Sequence, residues 1–228
     1  MCPAKNLYDA FGIKDNSTNY KNYEKYKIKL PSHFFCSGAS GRGKSNCVLS
    51  MIVELDCFDR IIIVVPSNEI LYDEFIKRMK QVEKKRKTHI ISTFKNADEI
   101  NLEDFDKDKR TAIVFDDLLT SGSKNLKKIN DFLIRSRKFG ISCFVLSQSW
   151  KSRDLATIRK NSSYFLIKEA KPQDLERIGE ELLGKKDVQK FINMYKECSG
   201  FLDCLFIDNV SLDERLRFRN YLDNLFIL

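Results

Sequence analysis

With 228 residues the chain can bury a substantial core as one domain, or as one domain with small attachments. Hydrophobic residues make up 43% and charged residues 32%, and no apolar run approaches the roughly 18 residues of a membrane span, which argues against a membrane-embedded protein. Lys and Arg number 40 against 32 Asp and Glu, and the resulting charge of +8 favours a polyanionic partner.

The opening, M-C-P-A-K-N-L-Y-D-A, lacks the apolar stretch of a signal peptide, so an intracellular and not a secreted protein is expected. The 7 cysteines fit that compartment: none forms a C-x-x-C pair, and several sit inside apolar patterns where Cys behaves as a small hydrophobe. The two histidines, His33 and His89, each open an apolar run and are read as structural, which leaves no zinc site. Residues 1–28 are polar and tyrosine-rich (Tyr20, Tyr23, Tyr26) and read as an arm or edge segment outside the core. Residues 29–228 read as a single domain.

From Pro31 onward strand-like runs alternate with helical periodicity, as βαβ units and a mostly parallel sheet require. A strand is expected over 33–37. The next eight residues, Gly38-Ala39-Ser40-Gly41-Arg42-Gly43-Lys44-Ser45, form a complete phosphate-binding loop, a Gly, four residues, then Gly-Lys-Ser. Its glycines let backbone N–H groups approach a polyphosphate. Lys44 supplies charge to the β- and γ-phosphates, Ser45 offers a hydroxyl to Mg²⁺, and the helix starting near Cys47 points its positive end at the anion. A strand before and a helix after are the context that this pattern needs. Asn46 completes the segment expected to touch the nucleotide. Arg42 has no evident task.

Further strands are expected over 60–65, 89–92, 111–116, 142–147, 163–167 and 201–207. Helices are expected over 69–87, 124–138, 172–184, 186–197 and 211–224, with 93–110 charged and partly loop. Lys77, Arg78, Lys80, Lys84, Lys85, Arg86 and Lys87 crowd one helix, and Lys124, Lys127 and Lys128 another. Such runs serve either a nucleic acid or solubility alone. The strand Arg60–Val65 stands between the phosphate loop and the next acidic strand in sequence. Placed between them in space as well, it would give the layout of motor-type ATPases.

Asp116 and Asp117 end the strand Ala112-Ile113-Val114-Phe115. An acid at that place holds Mg²⁺, usually through water. Successive side chains of a strand point to opposite faces, so the two acids need not share a task. Asp116 is assigned to the metal shell and Asp117 to the attacking water. The alternative is a strand-end turn whose acids cap the next segment. Gln148 follows the strand Cys143–Ser147 and would face the ligand crevice of a doubly wound sheet, placed to sense the γ-phosphate. Transition-state charge needs an arginine. Arg135 and Arg137 precede the Gln148 strand, Arg153 and Arg159 follow it, and Arg42 lies in the loop itself. The fold expected is α/β, a three-layer P-loop NTPase of the RecA/ASCE type with a mostly parallel sheet flanked by helices.

The segments S-G-A-S-G-R-G-K-S, I-I-I-V-V-P-S, I-V-F-D-D-L, S-R-K-F-G-I-S-C-F-V-L-S-Q-S and I-R-K-N-S-S resemble the poxvirus-type genome-packaging ATPases. That family belongs to the FtsK–HerA group of DNA-pumping motors and occurs in large DNA viruses, virophages and Polinton-like elements. The resemblance runs from about Pro31 to about residue 208. It implies an ATP- and Mg²⁺-dependent motor that drives double-stranded DNA into a preformed capsid. It further implies a homo-oligomeric ring, hexamer or pentamer, working with capsid or portal vertex proteins in the host cytoplasm or viral factory. On this pattern Gly38, Gly43, Lys44 and Ser45 match the nucleotide loop, Asp116 and Asp117 the acidic pair, and Gln148 the sensor. Arg137 and Arg159 match arginines near the sensor strand, with the choice of the one that crosses a subunit interface left open and Arg159 preferred. A departure is Lys138, where relatives often carry His. Competing readings are a cellular or plasmid translocase of the same group, a nucleotide-gated assembly protein with little turnover, and a small-molecule kinase.

Overall fold

A computed structural model describes residues 10–226 apart from 13, 14, 68, 119–122, 152–154, 199, 201, 202 and 223. The elements run β1 (Phe34–Ser37) and β2 (Arg60–Val64) on either side of a helix, then β3 (Ile91–Phe94), β4 (Thr111–Phe115), β5 (Ile141–Ser147), β6 (Tyr164–Ile167), β7 (Leu205–Asp208), β8 (Phe218–Asn220) and β9 (Asn224–Phe226). The helices are α1 (Tyr23–Tyr26), α2 (Lys44–Leu55), α3 (Ile70–Arg86), α4 (Ser123–Arg135), α5 (Ala156–Asn161), α6 (Pro172–Leu183) and α7 (Val188–Glu197). Among the described residues the strands form one sheet in the order β3-β2-β4-β5-β1-β6-β7-β8-β9. Pairing is parallel from β3 through β6. It turns antiparallel across β6, β7, β8 and β9.

The continuous apolar runs follow from burial on both faces. In β2, Ile61 and Ile63 join a core with α2 and α3, whereas Ile62 and Val64 join the opposite core with α4 to α7. The same alternation splits Phe34 and Cys36 from Phe35 in β1. Two cores on one sheet make the three layers. Under α2 a row of rings crosses the central strands: Phe34 stacks on Phe144 at 4.3 Å and on Tyr164 at 4.8 Å, and Tyr164 on Phe206 at 5.5 Å. The register Phe34↔Phe144 and Phe34↔Tyr164 brings these rings together. Among the described residues no helix is long and apolar enough to cross a membrane.

Four expectations change. The strand between β1 and the acidic strand β4 is β5, not the 60–65 strand, which lies beyond β4. The layout with an added strand is present, but the Gln148 strand supplies it, because sequence neighbours need not be sheet neighbours. The expected helix over 211–224 is absent from the described residues. A short 3-10 turn at Glu214–Leu216 and strands β8 and β9 occupy that stretch, and Leu212 is fully exposed instead of lying on an apolar face. Helix α5 was not anticipated, and Arg159 sits on it. The segment read as an arm reaches the core, for Tyr26 and Ile28 are buried with α2. Arg219 on β8 also donates to the Tyr26 carbonyl. The stretch 93–110 holds the end of β3 and two 3-10 turns, at Ala97–Glu99 and Leu102–Asp104, that bury Ala97 and Leu102.

Candidate active site

Strands β1, β5 and β4 are adjacent and parallel, so their carboxyl ends open on one edge of the sheet. Gly38 follows β1, Gln148 follows β5 and Asp116 follows β4, which delivers three polar elements to one crevice from three neighbouring strands. The loop is anchored on both sides: Gly38 N–H donates to Ser147 O at 3.1 Å and Ala39 N–H to Glu169 O at 3.1 Å. Gly38 is required by closeness, since a Cβ there would stand 2.7 Å from Lys168 Cβ. Gly41 and Gly43 take φ of +72° and +75°, the left-handed region that glycine enters without steric cost.

Gly43 is the N-cap of α2, so Lys44 and Ser45 open the helix and its positive end faces the loop. Lys44 is buried and its Nζ donates to Ala39 O at 3.0 Å, folding back across the loop. Ser45 Oγ donates to Asp116 Oδ2 at 2.7 Å. Asp116 is 4% exposed. Its neighbour Asp117 is exposed and adopts φ +53°, a left-handed conformation that swings it away from the strand direction. There Asp117 Oδ1 accepts a hydrogen bond from Gln148 Nε2 at 3.2 Å. The two acids thus have different partners, Asp116 with the loop serine and Asp117 with the Gln148 amide.

Two residues of the crevice escaped sequence reasoning. Tyr72, in the first turns of α3, donates its hydroxyl to Asp116 Oδ2 at 2.5 Å and is 1% exposed. Burial, then the charge and hydrogen bond of Asp116, push its hydroxyl pKa upward, so it stays a donor. Glu69 stands at the N-cap of α3, three residues before Tyr72 and hence on the same side of that helix. Burial first, then the charges of Asp116 and Asp117, raise its carboxyl pKa, with Lys44 opposing. Tyr72 reads in sequence as one more position of an amphipathic helix. Glu69 reads as a first-turn acid. Neither has a motif to announce it.

The arginines are dispersed. Arg42 Nε pairs with Glu169 Oε2 at 2.7 Å, which ties the loop to the end of β6. Arg159 donates to Trp150 O at 2.7 Å and pairs with Glu181 at 3.1 Å, and its guanidinium lies over the Trp150 ring. Arg137 lies at the amino end of β5, the strand end opposite Gln148, and bonds Asn161 O at 2.9 Å and Ser163 Oγ at 3.2 Å. Arg135 pairs with Asp131 and Glu103. Arg153 lies outside the described residues. His33 is buried and accepts from Cys143 N–H at 3.2 Å. Burial, then the Arg137 charge, push its imidazole down to about 3. Beside the loop, Gly41, Arg42, Glu169, Tyr195 and Lys196 line a cleft of about 380 Å³.

The model of the family described as Poxvirus A32 protein matches residues 21–217, which contain every element of this crevice. The chain belongs to that family. Among solved structures, the genome packaging NTPase B204 of Sulfolobus turreted icosahedral virus 2 in complex with ATP-gammaS superposes with a TM-score of 0.50 at 10% identity, over 85% of this chain and 98% of that one. The same NTPase in complex with AMP gives 0.52 at 11%, over 84% and 97%. The cytoplasmic domain of the Thermomonospora curvata type VII secretion ATPase EccC gives 0.53 at 13%, over 85% of this chain but 25% of that one. At such identities these likenesses speak for the fold, that of P-loop ATPases. No curated protein matches the sequence.

Proposed function

We infer that this A32-family chain is an ATP-hydrolysing DNA-translocation motor that packages double-stranded viral DNA into a preformed capsid. The observation that carries the reading is the meeting of the phosphate loop, Asp116, Asp117 and Gln148 at the carboxyl ends of three adjacent strands, within a chain of this family. The structural neighbour B204 is itself described as a genome packaging NTPase, and was solved with ATP-gammaS.

Each residue then has a task. The loop amides from Ala39 to Ser45 and the N-terminus of α2 cradle the β- and γ-phosphates, with Asn46 in the first turn beneath them. Ser40 completes the loop backbone. Lys44 leaves Ala39 O for the phosphates. Ser45 and Asp116 are hard oxygen donors held 2.7 Å apart beside the loop, which suits Mg²⁺, and they would hold it, Asp116 through water. Mg²⁺ would neutralise phosphate charge. Asp117 and Gln148, bonded to each other, orient the attacking water, whose oxygen displaces ADP from the γ-phosphorus while its proton leaves toward Asp117.

The transition-state arginine comes from a neighbouring subunit of a homo-oligomeric ring, pentamer or hexamer. Arg159 is the preferred candidate, because its Trp150 partner lies two residues beyond Gln148, whereas Arg137 lies at the opposite strand end. Double-stranded DNA and capsid or portal vertex proteins are the partners. The compartment is the host cytoplasm or viral factory, with transient residence at the capsid vertex. The test is ATPase activity with and without double-stranded DNA, alongside the oligomeric mass. DNA-stimulated turnover in a ring supports the motor. Stimulation by a small-molecule phosphate acceptor instead would remove it.

A further inference from the structure

A carboxylate that serves a metal must present one oxygen in a fixed direction, and Asp116 is held by more than the phosphate loop. Its Oδ2 receives hydrogen bonds from Ser45 Oγ at 2.7 Å and Tyr72 OH at 2.5 Å. These donors differ in origin. Ser45 opens α2 and has a second duty toward the metal. Tyr72 comes from α3, outside both the loop and the acidic strand, and its buried ring packs in the core that α2 and α3 share. A rigid ring with two torsions, enclosed on all sides, places a hydroxyl with little freedom.

We propose that Tyr72 is a positioning residue of the metal site: its hydroxyl fixes the rotation of the Asp116 carboxylate and thereby the direction of the second oxygen, which would serve the metal. The proposal rests on Asp116 being the metal-shell acid. It makes α3 a third wall of the catalytic centre beside the loop and β4. A purely packing role for Tyr72 would need the ring alone, and that difference is measurable.

Tyr72→Phe keeps the ring and removes one oxygen. The affinity for ATP-gammaS is measured with Mg²⁺ and with EDTA, together with the Mg²⁺ concentration that half-activates hydrolysis. With EDTA the variant should bind within about two-fold of the wild type. The tightening produced by Mg²⁺ should fall by about ten-fold, the low end for a lost hydrogen bond to a charged group. The half-activating Mg²⁺ should rise in parallel. In an Asp116→Asn background the same substitution should cause no further loss, because Tyr72 acts through that carboxylate. Unchanged Mg²⁺ tightening in Tyr72→Phe, or additive losses in the double variant, would overturn the proposal. Wild-type binding that ignores Mg²⁺ would overturn the metal reading of Asp116, and the proposal with it.

Discussion

Asp117→Asn separates the two acids more cleanly than any other substitution. Asp117 adopts φ +53°, and Asn tolerates the left-handed region as well as Asp does, so the backbone has no reason to move. Asn also keeps an Oδ1 acceptor for Gln148 Nε2, the 3.2 Å bond seen here. The side chain is exposed, so loss of its charge costs little stability, and the unfolding free energy should stay within about 0.5 kcal/mol of the wild type. What disappears is the carboxylate proposed to accept the water's proton. General-base catalysis contributes about 10²–10⁴-fold, and at 1.36 kcal/mol per decade that is about 2.7–5.4 kcal/mol of barrier. Turnover should therefore drop at least a hundred-fold while Mg-ATP affinity is retained. Phosphate release under saturating nucleotide gives the first quantity and a fluorescent ATP analogue the second. If affinity collapses instead, the metal acid is Asp117 and the two roles are exchanged. If turnover is unchanged, the base is elsewhere, and Glu69, which feels the charges of both Asp116 and Asp117, is the next acid to replace.

Lys44→Ala removes the buried ammonium from the loop and should bring phosphate release down to background in the same assay; wild-type turnover would end the phosphate-loop reading. The basic end of α3 is the second test: Lys84, Lys85 and Arg86 are exposed, and if they contact DNA phosphates, changing all three to Ala should flatten the slope of log affinity against log salt by about 2.7. Basal ATPase should stay unchanged in that variant. A slope equal to the wild type's would assign those residues to solubility alone.

Much of the crevice is legible in the sequence because its parts are local. Gly38–Ser45 is contiguous, and Asp116 and Gln148 each follow a buried, mostly apolar run, a pattern that needs no knowledge of the sheet. Seven strands and most helices are legible for the same reason, and six of those strands are buried along almost their whole length, which leaves few polar positions to blur the pattern. Strand order is not local. That β5 separates β1 from β4 follows from how the crossovers fold back, and chain order placed the wrong strand there. Tyr72 was illegible because its apolar ring fits the helix stripe and only its hydroxyl, which reaches Asp116, sets it apart. The stretch 211–224 failed for another reason: Phe218 and Leu222 are buried by pairing and packing along β8 and its turn, and their spacing imitates a helical face.

The antiparallel strands beyond β6 extend the sheet past its parallel half, and they lie partly outside the span that family likeness covers. That span stops at residue 217, whereas β8 and β9 follow it. A recombinant fragment cut at 217 would contain every residue of the candidate site and still be a poor protein. The β7 backbone would lose its ladder to Phe218–Asn220 and present Leu205, Phe206 and Ile207 along a bare margin, an invitation to sheet-to-sheet association. Asp208, 2% exposed, would also lose the Arg219 guanidinium 3.7 Å away. The boundary that matters to an experimenter is thus set by hydrogen-bond closure at the sheet margin, nine residues past the limit that sequence kinship draws.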